Sequence, residues 1–453
     1  MHHRTAIFAL ALLWACGGDD NSSSTGTSST YWVLNVHGTD VSSMSTAGDA
    51  QAAILLAVVT RGAADFGGGT AIGGADAASY GLVVAKYSSA RAHQWSHAYT
   101  GGAGAGTIVR LAADPTGDVV VLVSGLEGPI DFGQGPLEGN AVLRLTPSGD
   151  VRWSRALGTA ERAVVAHDVA VDPDGDVLVV GAARELVDEN GAALPAPGAE
   201  KLWAVKLAVT DGATVFESAI ASANGEARAA RLGAGPTGDL FVTGTFTGTL
   251  LLNASLDGTA STTPSLFVGR LRAEDGAAAW GKRFAPRGEP LAPALAVDGS
   301  GDLALSGMFE DPGDATDDND PAQAIVVKLN GRDGTRAWRT VFAGQGTVRP
   351  GEIAFTRLGA VVAAGEFRGL ANFGTASIAG PPNKDGMYLT RSDGTNGAVG
   401  WTKWASASQG GDATVADVEA LADDAIIGSG TFATAAPVGE TPRHEIFVLR
   451  IIP

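Results

Sequence analysis

Cysteine, histidine, aromatic residues and basic charge are all scarce in this chain of 453 residues. The single cysteine excludes an internal disulfide and a cysteine-built zinc site. Only 31 Lys and Arg stand against 49 Asp and Glu, a net charge of −18. That balance excludes a nucleic-acid protein relying on a basic footprint. Charged residues of both signs make up 18%, while 45% of the chain is apolar, too much for a wholly disordered protein. After the amino-terminal segment no run approaches the roughly 18 apolar residues of a membrane-spanning helix. No Gly-x-Ser-x-Gly elbow occurs, so a serine hydrolase of that type has no support. What the chain has in excess is glycine: 63 residues, about twice the usual share. They follow no three-residue period, so collagen is excluded too. A large, turn-rich globular protein remains.

The amino terminus, MHHRTAIFALALLWAC, carries Arg4 and then an apolar run from Ala6 to Ala15. That run is too short to span a bilayer but suits the core of a signal peptide. The lone cysteine, Cys16, sits where it ends. Leu13-Trp14-Ala15-Cys16 resembles the lipobox of bacterial lipoproteins, in which the cysteine is lipidated after cleavage before it. The following GGDDNSSSTGTSST reads as a flexible tether. The expected organisation is a lipoprotein signal over 1–15, a lipidated Cys16 with its linker over 16–30, and a folded domain over 31–453. Gly17 rather than Asp after the cysteine, by resemblance to Gram-negative sorting, points to the outer membrane or cell surface.

The folded part repeats itself. A basic residue ends an apolar run at Lys86, Arg144, Lys206, Arg270, Lys328, Arg391 and Arg450. Nine or ten residues after each of the first six comes Trp95, Trp153, Phe216, Trp280, Trp338 or Trp401. Between them lie hairpin signals such as Asp211-Gly212, Asp333-Gly334 and Asn396-Gly397. A second apolar run in each repeat follows a tight turn, as in Asp114-Pro-Thr-Gly-Asp118 and Asp172-Pro-Asp-Gly-Asp176. Four short strands per repeat of about 60 residues predict one propeller blade each. The expected fold is an all-β, seven-bladed β-propeller of four-stranded blades. The strand around Trp32 lacks a basic partner and the strand around Arg450 lacks an aromatic one. Their pairing is expected to close the ring and remove its exposed edges.

This pattern resembles the bacterial SBBP-type β-propeller repeat proteins, many of them lipoproteins. The resemblance rests on Asp65-Phe66-Gly67-Gly68-Gly69, Asp131-Phe132-Gly133 and Asn372-Phe373-Gly374, the basic-ended strand, the Trp strand and the DPxGD turn. It implies a fold and names no biochemical role. The third repeat departs most, with Phe216 for tryptophan and an insert over Ala182–Ala199.

Several motifs resemble catalytic ones but sit in the wrong context. Asp-Phe-Gly recurs as a turn without the rest of a kinase. Gly233-Ala-Gly-Pro-Thr-Gly238 precedes a strand, not the helix that a dinucleotide site needs. His93 and His97 flank Trp95 on a predicted strand, about 13 Å apart and too far for a shared metal. His37, His167 and His444 fall in different repeats. Asp311, Asp314, Asp317, Asp318 and Asp320 crowd one loop and form a weak candidate for calcium. No cofactor is otherwise expected. The basic residue of each repeat is expected to pair with a turn aspartate. With no catalytic constellation in view, the expectation is a non-catalytic, membrane-anchored binding scaffold for a protein, peptide or glycan. The alternatives are an extracytoplasmic lyase, glycosidase or oxidase with its site in the central channel, or a subunit of an outer-membrane assembly complex. Convergence of acidic, His or Arg side chains near the axis would favour the enzyme.

Overall fold

A computed structural model describes residues 31–36, 40–67, 71–73, 79–159, 161–186, 199–257, 264–286, 291–310, 324–374, 377–380, 385–405, 413–433 and 444–452. Cys16, His37 and the aspartates from Asp311 to Asp320 lie outside them. The architecture is all-β, built from antiparallel sheets that resemble propeller blades. Among the described residues no helix is long and apolar enough to cross a membrane.

The third repeat shows how a sheet is made. Its strands Arg162–Val171, Val177–Glu185, Lys201–Leu207 and Thr214–Ile220 pair in chain order. The two central strands are buried along almost their whole length, in keeping with their continuous apolar runs. Each sheet packs on its neighbours through an apolar cluster shared between consecutive repeats. Leu178 and Val180 meet Leu240 and Val242 in one such cluster. Another joins Ile54, Leu56 and Val58 of the first repeat to Ile427, Ile446 and Val448 of the last.

Two devices recur at the seams. The basic residue of a repeat and its aromatic are direct partners across two strands: Lys86 faces Trp95, Arg144 faces Trp153 and Lys328 faces Trp338. Trp32 on Tyr31–Val36 faces Arg450 on His444–Ile451 in the same register. Four tryptophans then reach the following repeat. Nε1 of Trp95, Trp153, Trp280 and Trp338 donates to the carbonyls of Pro147, Val209, Gly331 and Gly394. The hairpin glycine there takes positive φ and lies against the indole. At Gly397, with φ +75°, a Cβ would come within 2.5 Å of Cε3 of Trp338.

The basic residues also serve as internal ties. Arg144, 2% exposed, binds Asp118 through Nε at 2.8 Å and Asp114 through Nη2. Lys206 lies 2.7 Å from Asp172, and Lys328 lies 3.0 Å from Asp298. These aspartates belong to five-residue turns that follow the innermost strand of each repeat. Asp114 Oδ1 accepts the N–H groups of Thr116 and Asp118 and so holds its turn shut.

Candidate functional site

The innermost strands are Asp40–Gly48, Ile108–Ala113, Arg162–Val171, Ala227–Ala234, Ala294–Val297, Thr347–Phe355 and Ala413–Ala420. They lie side by side, each against the next, with Ala413–Ala420 also against Asp40–Gly48. Their turns open at Asp49, Asp114, Asp172, Gly235, Asp298, Thr356 and Leu421. Four residues before each turn stand Ser45, Arg110, Asp168, Arg231, Ala294, Glu352 and Asp417. Where the basic and aromatic positions of the repeat hold two residue types each, this one holds five. Two residues before each turn the pattern is Ala47, Ala112, Ala170, Gly233, Ala296, Ala354 and Glu419. One carboxyl interrupts a tier of small residues.

These side chains act on one another across repeats. Arg231 Nη2 reaches Glu352 Oε1 at 2.5 Å, passing over the apolar Ala294–Val297 strand. Arg110 Nε lies 3.9 Å from Asp168 Oδ1. Asp417 is felt by Glu352, Arg110 and Arg231. Such reach between non-adjacent repeats places the cluster at the common axis.

Part of this polarity is structural. The innermost strand of a blade is a sheet edge with unpaired N–H groups. Ser45 Oγ accepts from Leu111 N at 3.1 Å, Asp168 Oδ2 from Leu232 N at 2.8 Å and Asp417 Oδ2 from Thr46 N at 2.9 Å. Each side chain satisfies the edge of the next repeat. Ser45 Oγ also donates to Asp417 Oδ2 at 3.1 Å. Glu419 makes no hydrogen bond to a described residue, so edge satisfaction does not account for it.

The acids are displaced from their ordinary range. Burial, then the charge of Glu352, raises Asp417 to about 6 against the pull of Thr46 N–H, Arg110 and Ser45. Burial, then Asp417, raises Glu419 to about 8. Burial also raises Asp168, opposed by Arg231 and Arg110. The Glu352 carboxylate, above all, holds Arg231 protonated. Asp417 and Glu419 are half-buried. Of the two, Glu419 is pushed further toward its protonated form than Asp417. Two neighbouring carboxyls with separated pKa values are equipped to take one proton and give another. Above them a vestibule of about 400 Å³ is lined by turn residues including Asp49, Asp114, Asp172 and Ala422.

His93, His97 and His167 each have a separate neighbour. His93 Nε2 lies 3.2 Å from Ser96 Oγ, and His97 stacks on Trp95 with ring centroids 5.3 Å apart. His167, the neighbour of Asp168, meets Ala229 O through Nδ1 at 2.6 Å. Among the described residues no group of three or more His, Cys, Asp or Glu is placed to hold a metal ion.

No protein-family model matches the chain, and no curated protein matches it. Solved structures do. A catalytically inactive virginiamycin B lyase from Staphylococcus aureus, with quinupristin, is 12% identical, covering 94% of this chain and 100% of its own, with TM-score 0.48. A europium-containing methanol dehydrogenase is 9% identical, with 92% of each chain covered and TM-score 0.45. A gluconolactonase from Xanthomonas campestris is 14% identical, covering 74% of this chain and 82% of its own, with TM-score 0.34. These likenesses concern the fold.

The expectation of a non-catalytic binding scaffold is corrected here. Acids and arginines from five innermost strands act on one another across repeats, which a featureless scaffold does not require. The sequence reading missed Arg110, Asp168, Arg231, Glu352, Asp417 and Glu419. It weighed the residues that repeat, and these are the ones that do not. A signal was present: the fourth residue before the turn varies among Ser, Arg, Asp, Ala and Glu while most of its neighbours are small or apolar.

Proposed function

We propose that this chain is an extracytoplasmic enzyme that works by proton transfer in the axial channel of a seven-bladed propeller. The observation that carries the reading is the convergence of Asp417, Glu419, Arg110 and Arg231, with the two carboxyls raised to about 6 and about 8. The reaction best suited to this set is elimination from a carboxylate-bearing substrate, such as a uronate-containing glycan. Asp417 takes the proton from the carbon beside the substrate carboxylate. The electron pair left behind forms the carbon–carbon double bond as the adjacent carbon–oxygen bond breaks. Glu419 gives its proton to the departing oxygen. Arg110 and Arg231 neutralise the substrate carboxylate and the charge that builds on it. Two residues of one strand, about 7 Å apart, are spaced to flank a substrate.

The seven-blade count is supported by the seven equivalent turns and by clusters linking consecutive repeats, and ring closure by the facing of Trp32 and Arg450. A signal over 1–15, a lipid on Cys16, a tether over 16–30 and a propeller over 31–453 complete the proposal. They place it on the outer membrane or cell surface, where polymeric glycans are met. The SBBP-type resemblance fits the same organisation.

The activity is tested by incubating the protein with uronate-containing oligosaccharides and following the ultraviolet absorbance of the unsaturated product. Wild type should generate it, and Asp417→Asn and Glu419→Gln should each lower the rate about 100-fold or more. Product formation that both variants leave unchanged removes the axial assignment. Absence of product across carboxylated substrates removes the elimination reading. For the anchor, membrane fractionation of Cys16→Ala should release the protein, and unchanged membrane association refutes lipidation there.

A further inference from the structure

We propose that a cavity in the seam between the second and third repeats binds a neutral sugar ring and serves as an outer subsite of the axial centre. Its service to the axis rests on reading that centre as a glycan-acting site; the sugar contact itself does not. The cavity measures about 340 Å³ and lies between the turns over 114–118 and 172–176. Pro115, Pro173 and Val209 give it apolar walls, and Thr116, Arg152, Asp174 and Thr210 give it polar ones. Asp114, Pro115 and Pro173 also line the vestibule over the axis. The two spaces adjoin, so a glycan held at the axis can extend outward along this seam.

Two of the polar residues depart from the repeat. The position before the aromatic holds Gln94, Val215, Ala279, Ala337 and Gly400 in other repeats, and a cation only at Arg152. The seam does not require that cation, since Arg144 already ties Asp118. Arg152 spends two N–H groups on Asp118, Nε at 2.7 Å from Oδ2 and Nη2 at 3.1 Å from Oδ1. Its Nη1 donates to no described residue, and the side chain is 49% exposed. The middle residue of the turn is an acid only at Asp174 and Asp423. Arg450 holds Asp423, whereas the Asp174 carboxylate is exposed and has no partner among the described residues. Backbone groups of the wall are already engaged. Gly175 O accepts from Arg144 Nη1 at 2.6 Å, and Val209 O from Trp153 Nε1 at 3.1 Å. A ligand therefore finds one free acceptor and one free donor.

That pair sets the ligand class. An ammonium only donates and a carboxylate only accepts, so each serves one side and meets like charge at the other. A hydroxyl does both. Hydroxyls of one pyranose can give to Asp174 and take from Arg152 while its C–H face rests on the prolines and Val209. Apolar walls with a few placed polar groups are the usual build of a small-molecule site of this size. Asp114, Asp118 and Asp174 stand against Arg144 and Arg152, and this excess of acid disfavours a uronate ring here. The substrate is thereby narrowed to a glycan whose uronate is joined to neutral sugars.

The test is calorimetric titration of the full chain with cellobiose, maltose, lactose and mannobiose, and with digalacturonate as the charged counterpart. At least one neutral disaccharide should bind. Arg152→Ala and Asp174→Ala should each weaken it about 10-fold or more. Asp417→Asn should leave it unchanged. Asp174 is exposed and unpaired, so its variant remains informative if Arg152→Ala folds poorly. In turnover, Arg152→Ala should raise KM for uronate joined to neutral sugars, leave kcat alone and spare digalacturonate. Binding of none of the neutral disaccharides, or binding that both variants leave unchanged, overturns the subsite. Binding that the variants weaken, in a protein that eliminates no uronate, upholds the sugar contact and fails only the axial reading.

Discussion

The seams between repeats and the axis they surround use the same strands in opposite ways. At the seams one solution is copied: a basic residue faces an aromatic, a turn aspartate takes the charge, and an indole closes on the next hairpin. At the axis the fourth residue before each turn changes from Ser45 to Arg110 to Asp168 and onward to Asp417. Copied positions meet equivalent neighbours in most repeats, so packing dictates them. The axial position meets a shared space, which a ring needs to furnish only once. Repetition therefore marks what holds this protein together, and departure from repetition marks where the proposed chemistry lies.

The comparison predicts that damage at the seam is structural. Arg144→Ala leaves Asp114 buried without its cation, while Asp118 keeps Arg152, and denaturant unfolding should show a loss of about 3–5 kcal/mol. A loss under about 1 kcal/mol would mean that the tie is ornamental and that copying does not report stability. Gly397→Ala forces a Cβ against Trp338 at positive φ, and should cost about 1–3 kcal/mol. The same measurement checks it, and a neutral result would show that the indole seam yields.

Damage at the axis should instead be pH-dependent. Glu419 has an ordinary value of 4.5 and a folded value of about 8. Between those values the folded chain holds a proton that the unfolded chain has released, so stability falls as pH rises through the window. Glu419→Gln escapes that loss. It should match wild type near about pH 4 and exceed it near about pH 9 in chemical denaturation. A variant less stable than wild type at both would make Glu419 a packing residue, and the contrast with the seams would collapse. The smallest effect belongs to neither region. Arg272 pairs with Asp275 in the open, and Arg272→Gln should leave the unfolding midpoint unchanged.

Most of the architecture was legible in the sequence because seven copies of one pattern average out local ambiguity. The facing of Lys86 with Trp95 and of Arg144 with Trp153 follows from their constant spacing around a hairpin. The axial cluster was not legible, for two physical reasons. Its members are spread from Arg110 to Glu419, so no local motif contains them. The innermost strands also carry irregularities, between Ala166 and Asp168, Ala229 and Arg231, Pro350 and Ile353, and Val415 and Asp417. An extra residue turns the following side chains to the other face, so simple alternation cannot tell which of them look inward. The scaffold expectation failed at that point, since it weighed local motifs and the axial cluster draws one or two residues from each of several repeats.

The pairing of Tyr31–Val36 with His444–Ile451 has a kinetic side. These two strands are separated by almost the whole chain, so their contact carries the largest loop-closure cost of any in the fold. During synthesis the earlier repeats can stack as they emerge, while the first strand waits for the last to be made. Until then the sheet edges that these strands cover stay open to other chains. The window for misassembly is therefore set by the time taken to translate all that lies between them, and a faster-folding variant would have to shorten that wait rather than strengthen any seam.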